Sequence, residues 1–402
     1  MAVVIREYDP TKDRLGAEEV DRVCEVGPSG TMSLYTDHLG EPLARIRNSP
    51  TYLMLVAETT GPTKQIVGLV RGTVKMVTCG KKTKRGAKIS SPIYTKVGYI
   101  LGLRIHPSNR RMGIGLLLVR RMEEWFKEKG AEYSYMATEK DNEASVRLFT
   151  GRCGYTKFRT PSILVHPVYA HRRHISRHVS IIQLSLSDAE ALYRARFALT
   201  EFFPRDIDKV LANPLTVGTF LAVSENDYQW PGIEAFLKNT PESWAVVSVW
   251  DLDSVFRLEL RGAPALWRGV AAVSRAVDRM APWLNVPAIP NIFRSFGAWF
   301  MYGLGREGTK KARMVRSLCA YVHNKARGRV SVLATEVAAS DPVRKAIPKW
   351  KRLSCDEDLW CLKRLGEEYS DGEVGDWTKS TPGSTIFVDP REAFKNVSFF
   401  LA

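Results

Sequence analysis

What this sequence lacks narrows its function first. Cys24, Cys79, Cys153, Cys319, Cys355 and Cys361 are scattered, with no CxxC pair and no cysteine-histidine cluster. Neither a disulfide framework nor a zinc site is suggested, so no metal is expected and a reducing compartment fits. The first residues lack a charged segment followed by an apolar one, and the longest apolar stretches are broken by charge well short of bilayer-spanning length. A cytosolic or nuclear protein with no membrane association is the expectation. No G-x-x-x-x-G-K-[ST] loop for a nucleoside triphosphate is present. Acidic residues are in the minority, 43 against 59 Lys and Arg, for a formal charge of +16. That balance favours acidic partners, including a polyphosphate cofactor. The basic residues are dispersed and no reading helix or aromatic platform stands out, so direct nucleic-acid binding is not expected.

At 402 residues the chain exceeds what one core usually serves, and two domains are expected. Val3 to Arg6 reads as a strand and Lys12 to Val26 as a helix. Tyr52–Ala57 and Gln65–Val74 form a hairpin, and a basic loop from Cys79 to Lys88 leads to an apolar strand, Val97 to Ile105. This strand runs into a turn holding His106-Pro107-Ser108-Asn109-Arg110-Arg111-Met112-Gly113-Ile114-Gly115-Leu116, and a helix follows to Lys129. Glycines at 113 and 115 let a ligand approach the backbone. The first helical N–H groups have no intrahelical partner and suit an anion. Tyr133 to Thr138 is the next strand, Asn142 to Gly151 a short helix, and Tyr155–Phe158 and Ile163–Val165 are terminal strands.

The segment from His171 to His178 is basic and reads as a linker. From Ser185 onward a comparable order of helices and strands recurs, ending in a strand at Leu359–Leu362. Ala137-Thr138-Glu139 and Val146-Arg147 reappear as Ala334-Thr335-Glu336 and Val343-Arg344 at one spacing, which suggests a tandem duplication. The second copy carries Leu304-Gly305-Arg306-Glu307-Gly308-Thr309 where the first has its anion loop, so it reads as degenerate. The expected division is 1–168, a linker 169–184, a second domain 185–370 and a tail 371–402.

Arg110-Arg111-Met112-Gly113-Ile114-Gly115 between strand and helix, followed by Asn142-Glu143-Ala144-Ser145-Val146-Arg147-Leu148-Phe149 and Gly154-Tyr155, resembles the GNAT superfamily of N-acetyltransferases. The runs Arg6-Glu7-Tyr8-Asp9-Pro10, Cys24 to Gly30 and Ser49 to Glu58 are similar to the plant Hookless-type probable N-acetyltransferases, across nearly the whole chain. The resemblance implies an α/β (α+β) fold, a mixed and mostly antiparallel sheet flanked by helices. It also implies acetyl-CoA as cosubstrate, and a nuclear regulator of plant growth in ethylene and auxin responses.

On that scheme the backbone of Leu103, Arg104 and Ile105 pairs with the pantetheine arm, and the N–H of Leu103 polarises the thioester carbonyl. The amides of Arg111, Met112, Gly113, Ile114, Gly115 and Leu116 cradle the pyrophosphate, with Arg110 adding charge, while Asn142, Ser145 and Phe149 line the cofactor. Read locally, Asn142 is equally a helix N-cap. The catalytic positions depart from the family pattern. Tyr99 stands where many members carry a glutamate base, and Phe149 where a tyrosine acid is usual, leaving Glu139 as candidate base and a thiolate that leaves unaided or is protonated by Tyr155, Tyr135 or water. The expected activity is acetyl transfer to lysine amines of a protein substrate. The alternative is a non-catalytic, acetyl-CoA-binding or oligomeric regulatory scaffold, self-associating through its second half. Acceptor choice is expected to reside in Glu25–Ser49 and Thr78–Ile93.

Overall fold

The computed structural model describes residues 2–24, 32–82, 91–225, 228–355, 357–366 and 375–393. The strands are β1 (Val3–Glu7), β2 (Ser33–Asp37), β3 (Thr51–Thr59), β4 (Ile66–Lys82), β5 (Pro92–Ile105), β6 (Tyr133–Glu139), β7 (Thr156–Arg159), β8 (Pro161–Pro167), β9 (Ser180–Leu184), β10 (Thr216–Val223), β11 (Trp244–Asp251), β12 (Arg257–Arg261), β13 (Ala298–Glu307), β14 (Val332–Ala338) and β15 (Asp358–Arg364). Between them run α1 (Arg14–Val23), α2 (Ile114–Glu128), α3 (Glu143–Val146), α4 (Leu186–Phe197), α5 (Ile207–Leu211), α6 (Ile233–Lys238), α7 (Ala265–Met280) and α8 (Lys311–Ala326). Part of the basic loop from Cys79 to Lys88, and the start of Glu25–Ser49, lie outside the described residues.

Two large sheets result, mixed and mostly antiparallel, as the sequence suggests. The first has the order β1-β3-β4-β5-β6-β15-β7, the second β8-β14-β13-β11-β10-β9. In each, one parallel pair sits among antiparallel ones: β5 with β6, and β13 with β14. A long amphipathic helix joins each parallel pair. Ile114, Leu118, Val119, Met122, Trp125 and Phe126 recur at helical spacing and are buried, so α2 lies on one face of the first sheet. Met314, Val315, Leu318, Cys319 and Val322 do the same for α8 on the second. The opposite faces meet in a shared core that holds Tyr99 and Tyr135 from the first sheet with Trp250 and Tyr302 from the second.

The halves are not divided where the sequence suggests. The strand at Ile163–Val165 leaves the first sheet and pairs antiparallel with β14, Leu164 opposite Thr335. In exchange, β15 enters the first sheet between β6 and β7, Cys361 opposite Met136. All seven residues of β8 are buried, as are Asp358 to Leu362 of β15, so each strand reads as equally at home in either sheet. Pairing partner is not legible in a two-sided apolar strand. A ribbon of β2 with β12 ties the halves again, with the Arg261 guanidinium 3.6 Å from the centre of the Tyr35 ring. The shared triplets also prove misaligned. The last paired residues are Met136 in β6 and Thr335 in β14, which puts Ala137–Glu139 and Ala334–Glu336 two residues out of register.

Residues 169–184 are not a free linker. Tyr169 and His171 are buried, the His171 ring pairs with Asp278 at 2.7 Å, and β9 closes the span. Nor are residues 375–393 a tail. Trp377 packs edge-on against Tyr133 and Phe158, and its indole N–H reaches Glu201 at 3.1 Å. Phe387 packs against Tyr193, Phe203 and Tyr302. Polar side chains come with it. Lys75, 4% exposed, lies 3.1 Å from Asp389 and 2.7 Å from Glu392. Glu392 also accepts from the Tyr135 hydroxyl, and Arg391 bridges Asp389 and Asp206. Burial alone would raise the Asp389 carboxyl, but Arg391 and Lys75 hold it below the usual carboxylate range. Lys75 faces two buried carboxylates, of which Asp389 also has Arg391, and removing its charge from this network costs about 3–5 kcal/mol. Lys75→Met is therefore expected to lower the free energy of unfolding by that amount in urea titrations, while Lys127→Met on exposed α2 changes it by less than about 0.5 kcal/mol.

Candidate active site

The site begins where two parallel strands part. Residues β5 and β6 share are Val97 with Tyr133, Gly98 with Ser134, Tyr99 with Tyr135 and Ile100 with Met136, and there the pairing ends. Beyond it, Leu101 to Ile105 keep β4 on one side and, among the described residues, have no strand on the other. A bulge helps to open this gap. Leu101 faces Arg71 and Arg104 faces Leu69, so β5 carries two residues, Gly102 and Leu103, against the single Val70. Gly102 has φ +60°, a conformation that a side chain would strain. Leu101 to Ile105 thus form a sheet edge, where the Ile105 carbonyl accepts from the Cys24 thiol at 3.2 Å.

At the end of β5 the chain turns through Pro107–Asn109, passes Arg111 at φ +64° and reaches Gly113 at φ +80°, the N-cap of α2. Arg110, Arg111, Met112 and Gly113 are exposed, Gly115 and Leu116 half-buried, and Ile114 buried. A Cβ at Gly113 would meet nothing within 4 Å, so the loop faces open space. The first intrahelical bond comes only at Leu117, whose N–H reaches the Gly113 carbonyl at 3.2 Å. The preceding amides are those a phosphate would satisfy. Arg110 folds back, its Nε 3.3 Å from the Ile105 carbonyl oxygen. Leu103, Arg104 and Ile105 lie on the parted stretch of β5.

The expected catalytic residues are not brought to one point. Tyr99 faces the shared core, 1% exposed, its ring stacked on Tyr135 with centres 4.6 Å apart. Burial, with Glu392 adding to it, pushes the Tyr99 phenol well above its ordinary value. Tyr155 is buried on the other face, its hydroxyl 2.7 Å from Ser134 Oγ and its ring edge-on to Phe149. Phe149 is a packing residue at 1% exposure. Glu139 ends β6, half-buried, opposite Asp358 of β15. Asn142 caps α3, its Oδ1 accepting from the Ser145 N–H at 3.1 Å. The short helix then widens into a π-helical turn over Arg147–Arg152.

The second half repeats the opening without the loop. β13 leaves β14 after Met301 and Thr335, and Gly303, φ +61°, sits in a bulge like that of Gly102. The position of the anion loop is taken by protein. Glu307 accepts from the Trp244 indole at 3.2 Å, and the Lys310 N–H that opens α8 donates to Ser243 Oγ at 2.9 Å.

One group of residues escapes the sequence reading. A cavity of about 20 Å³ between α1, β2 and the bulged part of β5 is walled by Asp21, His38, Arg45, Arg71 and Arg104, among others. Asp21 and Arg71 form a buried ion pair at 2.5 Å, and the Arg71 Nε–H donates to the Pro42 carbonyl at 2.7 Å. His38 lies 3.6 Å from Asp21. Burial, with Arg71 adding to it, pushes the imidazole down to about 3. The single signal was Arg71, a charge inside the otherwise apolar run Val67 to Val74, because such a residue must find a buried partner. His38 is uncharged in the folded protein at pH values where the unfolded chain would protonate it. Its contribution to stability is undiminished above about pH 6.5 and is lost as pH falls toward 3. His38→Gln is accordingly expected to flatten the fall in stability between pH 6 and 4 by on the order of 1 kcal/mol per pH unit, measured by urea unfolding.

Among the described residues no helix is long and apolar enough to cross a membrane, and no group of three or more His, Cys, Asp or Glu side chains is placed to hold a metal ion. Residues 24–155 match the Acetyltransferase (GNAT) family. Over 97% of its length the chain is 59% identical to probable N-acetyltransferase HLS1 of Arabidopsis thaliana, covering 99% of that protein. It is 40% identical to acetyl transferase GW6a of Oryza sativa subsp. japonica, with 97% of each chain covered. Among solved structures, Saccharomyces cerevisiae N-myristoyltransferase with bound myristoyl-CoA shares the fold at a TM-score of 0.51 and 8% identity, covering 90% of this chain and 79% of that one. The family's fold implies an acyl-CoA cosubstrate, and the chain belongs to the GNAT family of N-acetyltransferases.

Proposed function

We propose that the protein is an acetyl-CoA-dependent N-acetyltransferase acting on lysine amines of a protein substrate, and that it regulates plant growth in ethylene and auxin responses. The observation that carries the cosubstrate is the unpaired edge of Leu101–Ile105 leading directly into the exposed, positive-φ loop at Gly113. The lysine acceptor and the hormone setting rest on the likeness to the Hookless-type proteins. The tandem arrangement of two GNAT-like units rests on the matching bulges at Gly102 and Gly303 and on the matching parallel pairs.

Bound acetyl-CoA supplies an acetyl group activated as a thioester. The chain's own residues do the rest. Amides from Arg111 to Leu116 bind the pyrophosphate, and Arg110 and Arg111 add charge. The edge of Leu103 to Ile105 orients the pantetheine arm, and the Leu103 N–H stabilises the carbonyl oxygen as charge develops on it. A nucleophilic amine must first be deprotonated. Tyr99 cannot take that proton at neutral pH, because its phenol is itself held protonated by burial. Glu139, on the parted end of β6, is the carboxylate assigned to it.

Gly113 provides the test. A side chain there meets no protein atom but points into the loop's open space, and it strains a φ of +80° by about 1–2 kcal/mol. Gly113→Glu is expected to weaken acetyl-CoA at least about 100-fold in isothermal titration, by like charge against phosphate. The same variant is expected to abolish acetylation of a lysine-rich protein followed by mass spectrometry, with only a modest fall in melting temperature. Equal affinity in the parent and the variant, or no transfer by the parent, would contradict the proposal.

A further inference from the structure

The cavity beside the bulge lies on the side of α1. Leu101, Gly102 and Arg104, which wall it, belong to the stretch of β5 that has lost β6. Its charge is one-sided. Among the described residues its wall carries three guanidinium groups, Arg45, Arg71 and Arg104, and one carboxylate, Asp21. Asp21 is already engaged by Arg71 at 2.5 Å, with a second contact at 3.4 Å. The Arg45 guanidinium donates to the Ala393 carbonyl at 3.1 Å and stands over the Phe256 ring. Arg104 has a single described partner, the carbonyl of its neighbour Leu103 at 3.5 Å, and no carboxylate. An ammonium group entering here would meet net positive charge in a poorly solvated site, whereas an anion would be attracted.

A second, independent feature points the same way. The His38 side chain is 9% exposed and lines the cavity, yet among the described residues its Nε2 has no hydrogen-bond partner. A buried polar atom left so is costly unless a ligand or water completes it. Its Nδ1, at 3.6 Å from Asp21, is too far for a hydrogen bond that would fix the tautomer. In the Nε2–H form the cavity wall thus holds a donor with no partner among the described residues. Size then decides between anions. About 20 Å³ is little more than the roughly 10–15 Å³ needed for one water, enough for the oxygen end of a carboxylate but not for a tetrahedral phosphate.

We propose that this cavity is an anion subsite that receives a carboxylate carried by the acceptor beside its reactive amine, held by Arg104 and His38 Nε2 with Arg45 behind. Building on the lysine-acetyltransferase reading, it makes acidic peptides the substrate class. A lysine flanked by glutamate or aspartate enters with its own counter-charge, and the positive field at the same time favours the neutral, nucleophilic form of its amine.

The test uses the full chain saturated with coenzyme A and two fluorescent peptides, amidated at the C-terminus. In one the acceptor lysine is flanked on both sides by glutamate, and in the other by glutamine. Fluorescence anisotropy is expected to show the glutamate peptide binding at least about tenfold more tightly, a preference that shrinks with added salt. With coenzyme A kept saturating for each variant, Arg104→Gln is expected to bring the two peptides within about twofold, and the charge-keeping Arg104→Lys to retain part of the preference. Equal affinity for both peptides, no measurable binding of the acidic one, or a preference that survives Arg104→Gln would overturn the subsite. The two readings fail separately. A binding preference with no acetyl transfer to either peptide removes lysine acetylation and keeps the subsite, whereas transfer to both at equal kcat/KM removes the subsite and keeps the acetylation.

Discussion

Two parallel strands that begin paired and then separate set the terms for the rest of this molecule. Four residue pairs hold β5 to β6, and the fifth does not form because the bulge at Gly102 and Leu103 turns the remainder of β5 toward β4. Side chains of Arg104, Arg110 and Cys24 reach the Leu103 and Ile105 carbonyls, and the other backbone groups on the freed edge need partners from elsewhere. Placed one turn before a helix N-terminus that also lacks partners, the edge becomes a continuous row of donors and acceptors. An extended thioester ending in a pyrophosphate matches that row. The same parting occurs at Met301 and Thr335, but there Glu307 and Ser243 close the loop from within. The strand parting is alike in both halves, and the exposed loop at its end is found in one.

Exchange of β8 and β15 makes the two halves mutually dependent. Neither sheet is completed by a contiguous stretch of chain, since β15 fills the space between β6 and β7 while β8 covers β14. Residues 375–393 then seal the shared core with Trp377 and Phe387, and bring Asp389 and Glu392 to Lys75. Carboxylates of the last described segment thus stand beside Tyr99 and Tyr135, next to the point where the strands part.

Local features of the sequence were readable because their causes are local. The loop from Arg110 to Gly115 needs glycine where φ is positive, and α2 announces itself by apolar residues at helical spacing. Asn142 as an N-cap follows from its own side chain. The exchange was not readable, because Ile163–Val165 and Leu359–Leu362 are apolar on both faces and periodicity cannot name a partner strand. Nor was the burial of residues 375–393, where Pro, Gly and Ser-rich sequence masks two aromatic anchors. The cavity lay hidden for a related reason. Asp21, His38, Arg71 and Arg104 come from four separate elements, and only the fold brings them to one wall.

The central claim is that the parted edge and the Gly113 loop bind acetyl-CoA, and that the corresponding edge of the second half does not. Hydrogen–deuterium exchange of the full chain, with and without acetyl-CoA, measures this directly at the backbone. The account predicts slowed exchange in peptides covering Leu101–Ile105 and Arg111–Leu117, and none in peptides covering Gly303–Thr309. Unchanged exchange at the first two segments, or protection centred on the third, would contradict it.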